Sequence, residues 1–148
     1  MKKDGFKKTE EQEIAVAPDQ RSRPCRILVV DDEAGNRQLN MEMLTEAGYH
    51  VNGAADGAAG WQAIQVYNFD LVITDNRMPR MTGVDMIRKV HAAGIDLPIM
   101  MATGVMPKEF AESPWLKPAA ILLKPYTVAQ VLGTVQKILG PAQSGSAA

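Results

Sequence analysis

The sequence predicts an α/β fold: a doubly wound, five-stranded parallel sheet with helices on both faces, which is a three-layer sandwich. Several short runs are apolar throughout and rich in β-branched residues, as is typical of strands covered on both faces. Segments in which apolar residues recur at helical spacing separate these runs. A chain of 148 residues leaves room for one such domain.

Five strands are predicted from the apolar runs. Four runs are strongly apolar, and a fifth is weaker because polar residues interrupt it. In chain order, the predicted strands are Ile27–Val30, Tyr49–Asn52 (the weaker run), Leu71–Thr74, Pro98–Met101 and Ala120–Leu123.

Capping residues and apolar stripes predict the helices. The first helix ends at Gly48, and the second begins near Asp56. Thr82 and Thr127 open the third and the last helix with patterns typical of a capping box. The apolar stripes of these helices include Leu39, Tyr67 and Val128.

The two ends of the chain differ from the middle in composition. Residues 1–24 hold six basic residues, five acidic residues and few apolar ones. Burial cannot offset the entropy cost of ordering such a segment. Residues 141–148 are mostly small. We therefore expect a flexible N-terminal tail over 1–24, a folded domain over 25–140 and a flexible C-terminal tail over 141–148.

Composition and charge exclude several classes of protein. Sixteen basic and seventeen acidic residues give a net charge of −1, which argues against direct nucleic-acid binding through a broad basic surface. The single Cys25 excludes an internal disulfide framework and a multi-cysteine zinc site. No apolar stretch reaches the ~20 residues that a membrane-spanning helix needs, and no secretory signal is visible. We expect a cytoplasmic protein with no membrane contact.

Polar residues follow four of the predicted strands. They are Asp31, Asp32, Glu33, Asp75, Thr103 and Lys124. Because the carboxyl ends of parallel strands meet at one edge of a sheet, we expect these side chains to converge. Three aspartates and one lysine sum to a charge of −2, and clustered carboxylates repel one another unless a cation lies among them. Mg²⁺ suits oxygen ligands, whereas an ammonium and a hydroxyl suit a phosphoryl group. The indicated chemistry is attack by a carboxylate on phosphorus.

With these motifs in order, the sequence resembles the receiver domains of bacterial response regulators in two-component systems, including the chemotaxis regulators. The resemblance covers Arg26–Leu139 and implies a flavodoxin-like sheet with strand order 2-1-3-4-5. The segments that carry it are ILVVDDE at 27–33, TDNRMPRMTG at 74–83, PIMMATG at 98–104 and LKPY at 123–126.

The resemblance implies a role for each acidic residue. Asp75 would be the phosphoacceptor, a nucleophile toward a phosphohistidine on a sensor histidine kinase or a phosphotransfer protein. Asp32 would bind Mg²⁺ directly, and Asp31 would hold it mainly through water. Asp75 and the backbone carbonyl of Arg77 would complete the metal site.

The remaining matched residues would bind the phosphoryl group or support the site. Thr103 would hydrogen-bond one phosphoryl oxygen, and Lys124 would pair with another. Gly104 would leave room for a phosphodonor or for water, and a cis Lys124–Pro125 bond would shape the lysine loop. The supporting positions are Glu33, Pro79, Gly83, Gly104 and Pro125.

The resemblance therefore implies a phosphoaccepting switch, with no enzymatic activity beyond self-catalysed phosphotransfer and dephosphorylation. It would regulate an unidentified downstream protein, and a phosphorylation-dependent dimer is compatible with it. Two alternatives stay open: a fragment of a hybrid histidine kinase or multi-domain regulator, and a scaffold that acts without phosphorylation. A phosphohydrolase is disfavoured because no Asp-x-Asp follows the first strand. A dinucleotide enzyme is disfavoured because no Gly-x-Gly-x-x-Gly follows it.

Two features depart from the pattern that the resemblance implies. Ile121 stands three residues before Lys124, where many receivers carry an aromatic residue that turns inward on activation. Pro114 allows at most two helical turns before it in the fourth connection. We therefore predict that signalling involves a rearrangement of the segment Gly104–Pro118, with Tyr126 packing against the sheet edge.

Overall fold

The computed structural model describes residues 24–140. The predicted N-terminal tail, except for Pro24, and the predicted C-terminal tail lie outside the described residues, so both tails stay predictions. Strands and helices alternate through the described part. The strands are β1 (Arg26–Val30), β2 (His50–Ala54), β3 (Leu71–Thr74), β4 (Ile99–Thr103) and β5 (Ala120–Leu123). The helices are α1 (Ala34–Glu46), α2 (Gly57–Val66), α3 (Gly83–Ala92), α4 (Glu109–Glu112) and α5 (Val128–Leu139).

The five strands form one parallel sheet in the order β2-β1-β3-β4-β5, which confirms the predicted fold class and strand order. In the register of the sheet, Val30 at the end of β1 lies beside Thr74 at the end of β3. Thr103 at the end of β4 lies beside Leu123 at the end of β5. The residues that follow these strands therefore reach the same edge of the sheet.

The central strands β1, β3 and β4 are mostly apolar because each of them faces two cores. Along β1, Leu28 and Val30 join a cluster with α2 and α3, whereas Ile27 and Val29 join a cluster with α1 and α5. All four side chains are buried. At about 25 cal/mol per Å² of buried apolar surface, such strands supply much of the driving force for folding.

The predicted caps are present. The Thr82 hydroxyl accepts a hydrogen bond from the Asp85 amide, and the Asp85 carboxylate accepts one from the Thr82 amide. Thr127 and Gln130 form the equivalent box at the start of α5. Each such cap typically contributes about 1 kcal/mol. Because Pro114 limits the helix before it, α4 is a single short turn.

Three residues of the predicted apolar stripes lie in solvent instead. Leu39 is 63% exposed because it lies five residues, or about 140° around the helix, from Leu44, which faces the sheet. Tyr67 follows the end of α2. Val128 lies in the first turn of α5, where burial begins only at Val131. Within residues 24–140, no helix has the length and apolar character needed to cross a membrane.

Candidate functional site

The sheet ladder extends past the strand ends and sets the polar residues side by side. The amide of Asp31 donates to the carbonyl of Ala54, and the amide of Asp75 donates to the carbonyl of Val30, at 3.1 and 3.2 Å. The amide of Lys124 donates to the carbonyl of Thr103 at 2.8 Å. The backbone thus places all of these side chains at the carboxyl edge of the sheet, as predicted.

Three carboxylates meet at this edge. Oxygen atoms of Asp31, Asp32 and Asp75 all lie within 4.8 Å of one another. Asp31 is only 5% exposed, and its burial raises the pKa of its carboxyl. Asp32 is exposed. A cluster that combines buried and accessible carboxylate oxygens at this spacing is a suitable site for a hard divalent cation.

Lys124 supplies the positive charge of the site. Its Nζ donates to Oδ2 of Asp75 at 2.8 Å, and both side chains are mostly buried. Burial lowers the pKa of Lys124, but the hydrogen bond and charge of Asp75, with the charge of Asp31, outweigh it, so the net shift is upward. The lysine therefore carries its charge beside the carboxylates.

The Thr103 hydroxyl points into its own loop. Thr103 is 2% exposed, and its Oγ1 donates to the carbonyl of Val105 at 3.2 Å. Beside it, a Cβ added at Gly104 would meet nothing within 4 Å, so this position borders open space, in line with the room predicted there. To bind a group on Asp75, the hydroxyl has to give up its bond to Val105.

Asn76 braces Asp75 and was missed by the sequence analysis. Its amide donates to Oδ1 of Asp75 at 2.6 Å. Its side-chain oxygen accepts from the amide of Val84, and its carbonyl accepts from the amide of Gly83, both at 3.0 Å. The available signal was an asparagine two residues after the end of a strand, where this residue type commonly bonds to nearby backbone.

Gly83 permits a close approach between the start of α3 and the end of β3. A Cβ at this position would lie 2.5 Å from the carbonyl oxygen of Asp75 and 2.9 Å from Cε of Met101. No side chain fits there without a backbone shift. This geometry gives a physical reason for the supporting position predicted at Gly83.

Other supporting positions lie in the turns around the site. The Glu33 carboxylate accepts from the amide of Asn36 and caps α1, while the Glu33 amide donates to Oδ1 of Asp31 at 2.9 Å. The carbonyl of Pro79 accepts from the amide of Met81 at 2.7 Å. The Lys124–Pro125 peptide bond is cis, as predicted.

Two arginine contacts could not be foreseen, because they join positions far apart in sequence or in loops of unknown shape. Nη1 of Arg37 donates to the carbonyl of Asp31 at 2.7 Å. Arg80 forms an ion pair with Asp56. The first contact holds the backbone of Asp31, and the second joins the start of α2 to the loop after β3.

Ile121, one of the two departures from the resemblance, and Tyr126 contact different parts of the protein. Ile121 is half-buried and lines a groove of about 500 Å³ with Phe110 and Leu116. Tyr126 packs against the core cluster of α1 and α5, and its hydroxyl accepts from Asn40 at 3.3 Å. Arg77 is exposed beside a separate depression of about 300 Å³.

Comparison with known proteins decides the family. Residues 27–136 match the profile of the response regulator receiver domain. The chain belongs to the response-regulator receiver family. Such receivers are in general non-catalytic modules of two-component signalling, which bind Mg²⁺ at an acidic pocket and interact with histidine kinases or phosphotransfer proteins.

The relatives of this receiver differ in length. It is 32% identical over 117 residues to the response regulator receiver protein CpdR of Brucella abortus. This match covers 77% of this chain and 96% of CpdR. It is 31% identical over 115 residues to SilR of Salmonella typhimurium, a probable transcriptional regulatory protein. That match covers 77% of this chain but only 50% of SilR. The receiver therefore spans nearly all of one relative and half of another.

Solved structures show the same fold. The chemotaxis response regulator CheY4 of Vibrio cholerae superimposes with a TM-score of 0.71 at 32% identity, covering 78% of this chain and 99% of CheY4. The response regulator TrrA of Thermotoga maritima, solved in complex with Mg²⁺-BeF, gives a TM-score of 0.70 at 30% identity. That match covers 77% of this chain and 98% of TrrA.

Proposed function

We propose that this receiver accepts a phosphoryl group on Asp75 from a phosphohistidine of a sensor histidine kinase or phosphotransfer protein. The observation that carries the proposal is the pairing of Asp75 with Lys124 within a cluster of three carboxylates. A carboxylate at a plain turn or cap needs neither a partly buried lysine nor two further acids beside it. A phosphoryl group needs both charge neutralisation and an oxygen nucleophile.

The side chains divide the work of the transfer. A carboxylate oxygen of Asp75 forms a bond to phosphorus as the P–N bond of the phosphohistidine breaks, and the bonding electron pair stays on the imidazole nitrogen. Lys124, already hydrogen-bonded to Asp75, neutralises charge on the phosphoryl oxygens. Thr103 donates to another of these oxygens after releasing the carbonyl of Val105.

The acidic cluster fits Mg²⁺. Ionised carboxylates are hard, acceptor-only oxygen ligands, and the burial of Asp31 makes a neighbouring cation favourable. Asp31, Asp32, Asp75 and the backbone carbonyl of Arg77 would hold the ion. When bound, Mg²⁺ would supply charge neutralisation at the phosphoryl oxygens.

Phosphorylation would act as the switch. It changes the charge at Asp75 from −1 to about −2. The added charge favours a state in which the Thr103 hydroxyl turns from Val105 toward the phosphate, and the segment 104–118 follows. The rearranged surface would regulate a downstream protein or form a dimer. Phosphate is then lost by hydrolysis at the same site, and no other enzymatic activity is proposed.

The proposal is tested by intact mass spectrometry after incubation with Mg²⁺ and acetyl phosphate. We expect a gain of one phosphoryl group that is abolished by a chelator and by Asp75→Asn. Asp96→Asn, at an exposed acid outside the cluster, is the matched control and should gain phosphate like the parent. A parent protein that gains nothing with Mg²⁺ present would contradict the proposal and favour a scaffold that acts without phosphorylation.

A further inference from the structure

The loop between β3 and α3 has a strained apex at Arg80. This residue has a φ of 70°, and it is the one non-glycine residue with positive φ among residues 24–140. The amide of Met81 donates to the carbonyl of Pro79 at 2.7 Å, which closes a γ-turn around Arg80. A γ-turn with positive φ is rare and strained, and a residue with a side chain keeps it only where the surrounding structure imposes it.

Asp56 is the partner that holds this apex. The Arg80 guanidinium donates to Oδ2 of Asp56, while Oδ1 of Asp56 accepts from the amide of Ala59 at 2.8 Å and caps α2. The Asp56 side chain is 12% exposed and that of Arg80 is 69% exposed. The hydrogen bond from Arg80 lowers the pKa of Asp56. One carboxylate therefore fixes both the start of α2 and the apex of the loop.

The backbone of the loop also rests directly on α2. A Cβ added at Gly57 would lie 2.1 Å from the carbonyl oxygen of Met81. Only glycine permits this approach. Two adjacent contacts therefore join the loop to the start of α2. Arg80 forms an ion pair with Asp56, and the Met81 backbone packs closely on Gly57 because glycine has no side chain.

Asn76 holds both ends of the loop at the functional site, without any contribution from the Arg80–Asp56 contact. Asn76 bonds to Asp75 on one side and to Gly83 and Val84 on the other. Between Asn76 and the apex lies Arg77, whose carbonyl belongs to the proposed metal site. With both ends fixed by Asn76, the buried Met78 side chain and the contact at the apex together constrain the stretch that contains Arg77.

We infer that the Arg80–Asp56 ion pair positions the β3–α3 loop for Mg²⁺ binding next to Asp75. This inference rests on the proposed function, since it assigns Arg77 to the metal site. Arg80 and Asp56 are positioning residues: they act through the loop and do not touch the phosphoryl group.

Two substitutions remove the ion pair without straining the backbone at position 80 or removing the cap of α2. Arg80→Gly tolerates a φ of 70° better than arginine does, and Asp56→Ser keeps a side-chain oxygen that caps α2. On the full chain, we expect each change to raise the Mg²⁺ dissociation constant about threefold or more by isothermal titration calorimetry. The double variant should bind Mg²⁺ no more weakly than the single variant with the lower affinity, because both substitutions remove the same interaction. Thermal unfolding should show each variant folded.

A matched control uses the ion pair between Arg88 and Asp85 on α3. Arg88→Ala removes that surface pair and should leave Mg²⁺ affinity unchanged. One outcome is that the parent protein gains phosphate while Arg80→Gly and Asp56→Ser bind Mg²⁺ as tightly as it does. That result overturns the positioning role and leaves the proposed function standing. Fully additive losses in the double variant would also overturn it. A parent that neither binds Mg²⁺ nor gains phosphate overturns both proposals.

Discussion

Nζ of Lys124 lies 2.8 Å from Oδ2 of Asp75, although these residues follow strands that are not neighbours in the sheet. Lys124 reaches Asp75 past the end of β4, where Thr103 lies between them in the strand order. The Lys124 ammonium, which would bind the phosphoryl group, is thus already hydrogen-bonded to the Asp75 carboxylate that would accept this group. A metal ion bound to the same carboxylates has to share them with this ammonium.

Removing the ammonium should separate metal binding from phosphorylation. We expect Lys124→Met to tighten Mg²⁺ binding by roughly three- to tenfold, on the order of 1 kcal/mol, because a competing positive charge is lost. The same variant should gain phosphate more slowly than the parent. Isothermal titration and intact mass measure the two effects, and Lys137→Met on exposed α5 surface is the control. Weaker Mg²⁺ binding in Lys124→Met would contradict the competition.

Neutralising the buried acid should stabilise the protein when no metal is present. Asp31 is buried beside two other carboxylates, so its ionised form is costly. We expect Asp31→Asn to raise stability by about 1 kcal/mol in a chelator, or roughly 3–5 °C in Tm. Added Mg²⁺ should stabilise the parent more than the variant. A lower Tm of Asp31→Asn in the chelator would show that the carboxylate cluster is not a source of strain.

Two helical glycines should respond to alanine in opposite directions. At Gly83 a Cβ would lie 2.5 Å from the Asp75 carbonyl, and we expect Gly83→Ala to cost about 1–3 kcal/mol and to reduce phosphate gain. At Gly133, within α5, a Cβ would meet nothing within 4 Å. Gly133→Ala should therefore stabilise by up to about 1 kcal/mol. Chemical denaturation measures both, and equal effects would contradict the close approach at Gly83.

The segment after β4 should report the active state. Trp115 is exposed and stacks on His91, with ring centroids 4.7 Å apart. If Thr103 leaves the carbonyl of Val105 on phosphorylation, the segment 104–118 shifts and this stacking changes. In a Trp61→Phe background, which leaves Trp115 as the single tryptophan, we expect beryllofluoride with Mg²⁺ to change the indole fluorescence and the amide NMR shifts of 104–118. Unchanged NMR shifts throughout that segment would rule out this output route.

The strands and the strand-end residues could be predicted from the sequence because they depend on local, strong signals. An apolar run such as Leu71–Thr74 needs cover on both faces, and the topology of parallel sheets then sends Asp75 to the same edge as Asp31. The capping boxes at Thr82 and Thr127 are equally local. For this reason the fold and the acidic cluster followed from the sequence.

Contacts between distant loops could not be predicted in this way. The pairing of Arg80 with Asp56 spans 24 residues and depends on a γ-turn at Arg80. No local sequence pattern predicts such a turn at an arginine. The bond from Thr103 to Val105 depends on the path of a loop without regular structure. Leu39 shows a further limit: spacing identifies the helix, but tertiary packing chooses which apolar residues face the sheet.

The most direct test of the central claim is to map the phosphoryl group. After incubation with acetyl phosphate and Mg²⁺, borohydride reduces an aspartyl phosphate to homoserine, and peptide mass spectrometry locates the changed residue. We predict homoserine at Asp75, with Asp31 and Asp32 unmodified. Homoserine at another residue, or at none while the intact protein has gained phosphate, would contradict the assignment of Asp75 as the phosphoacceptor.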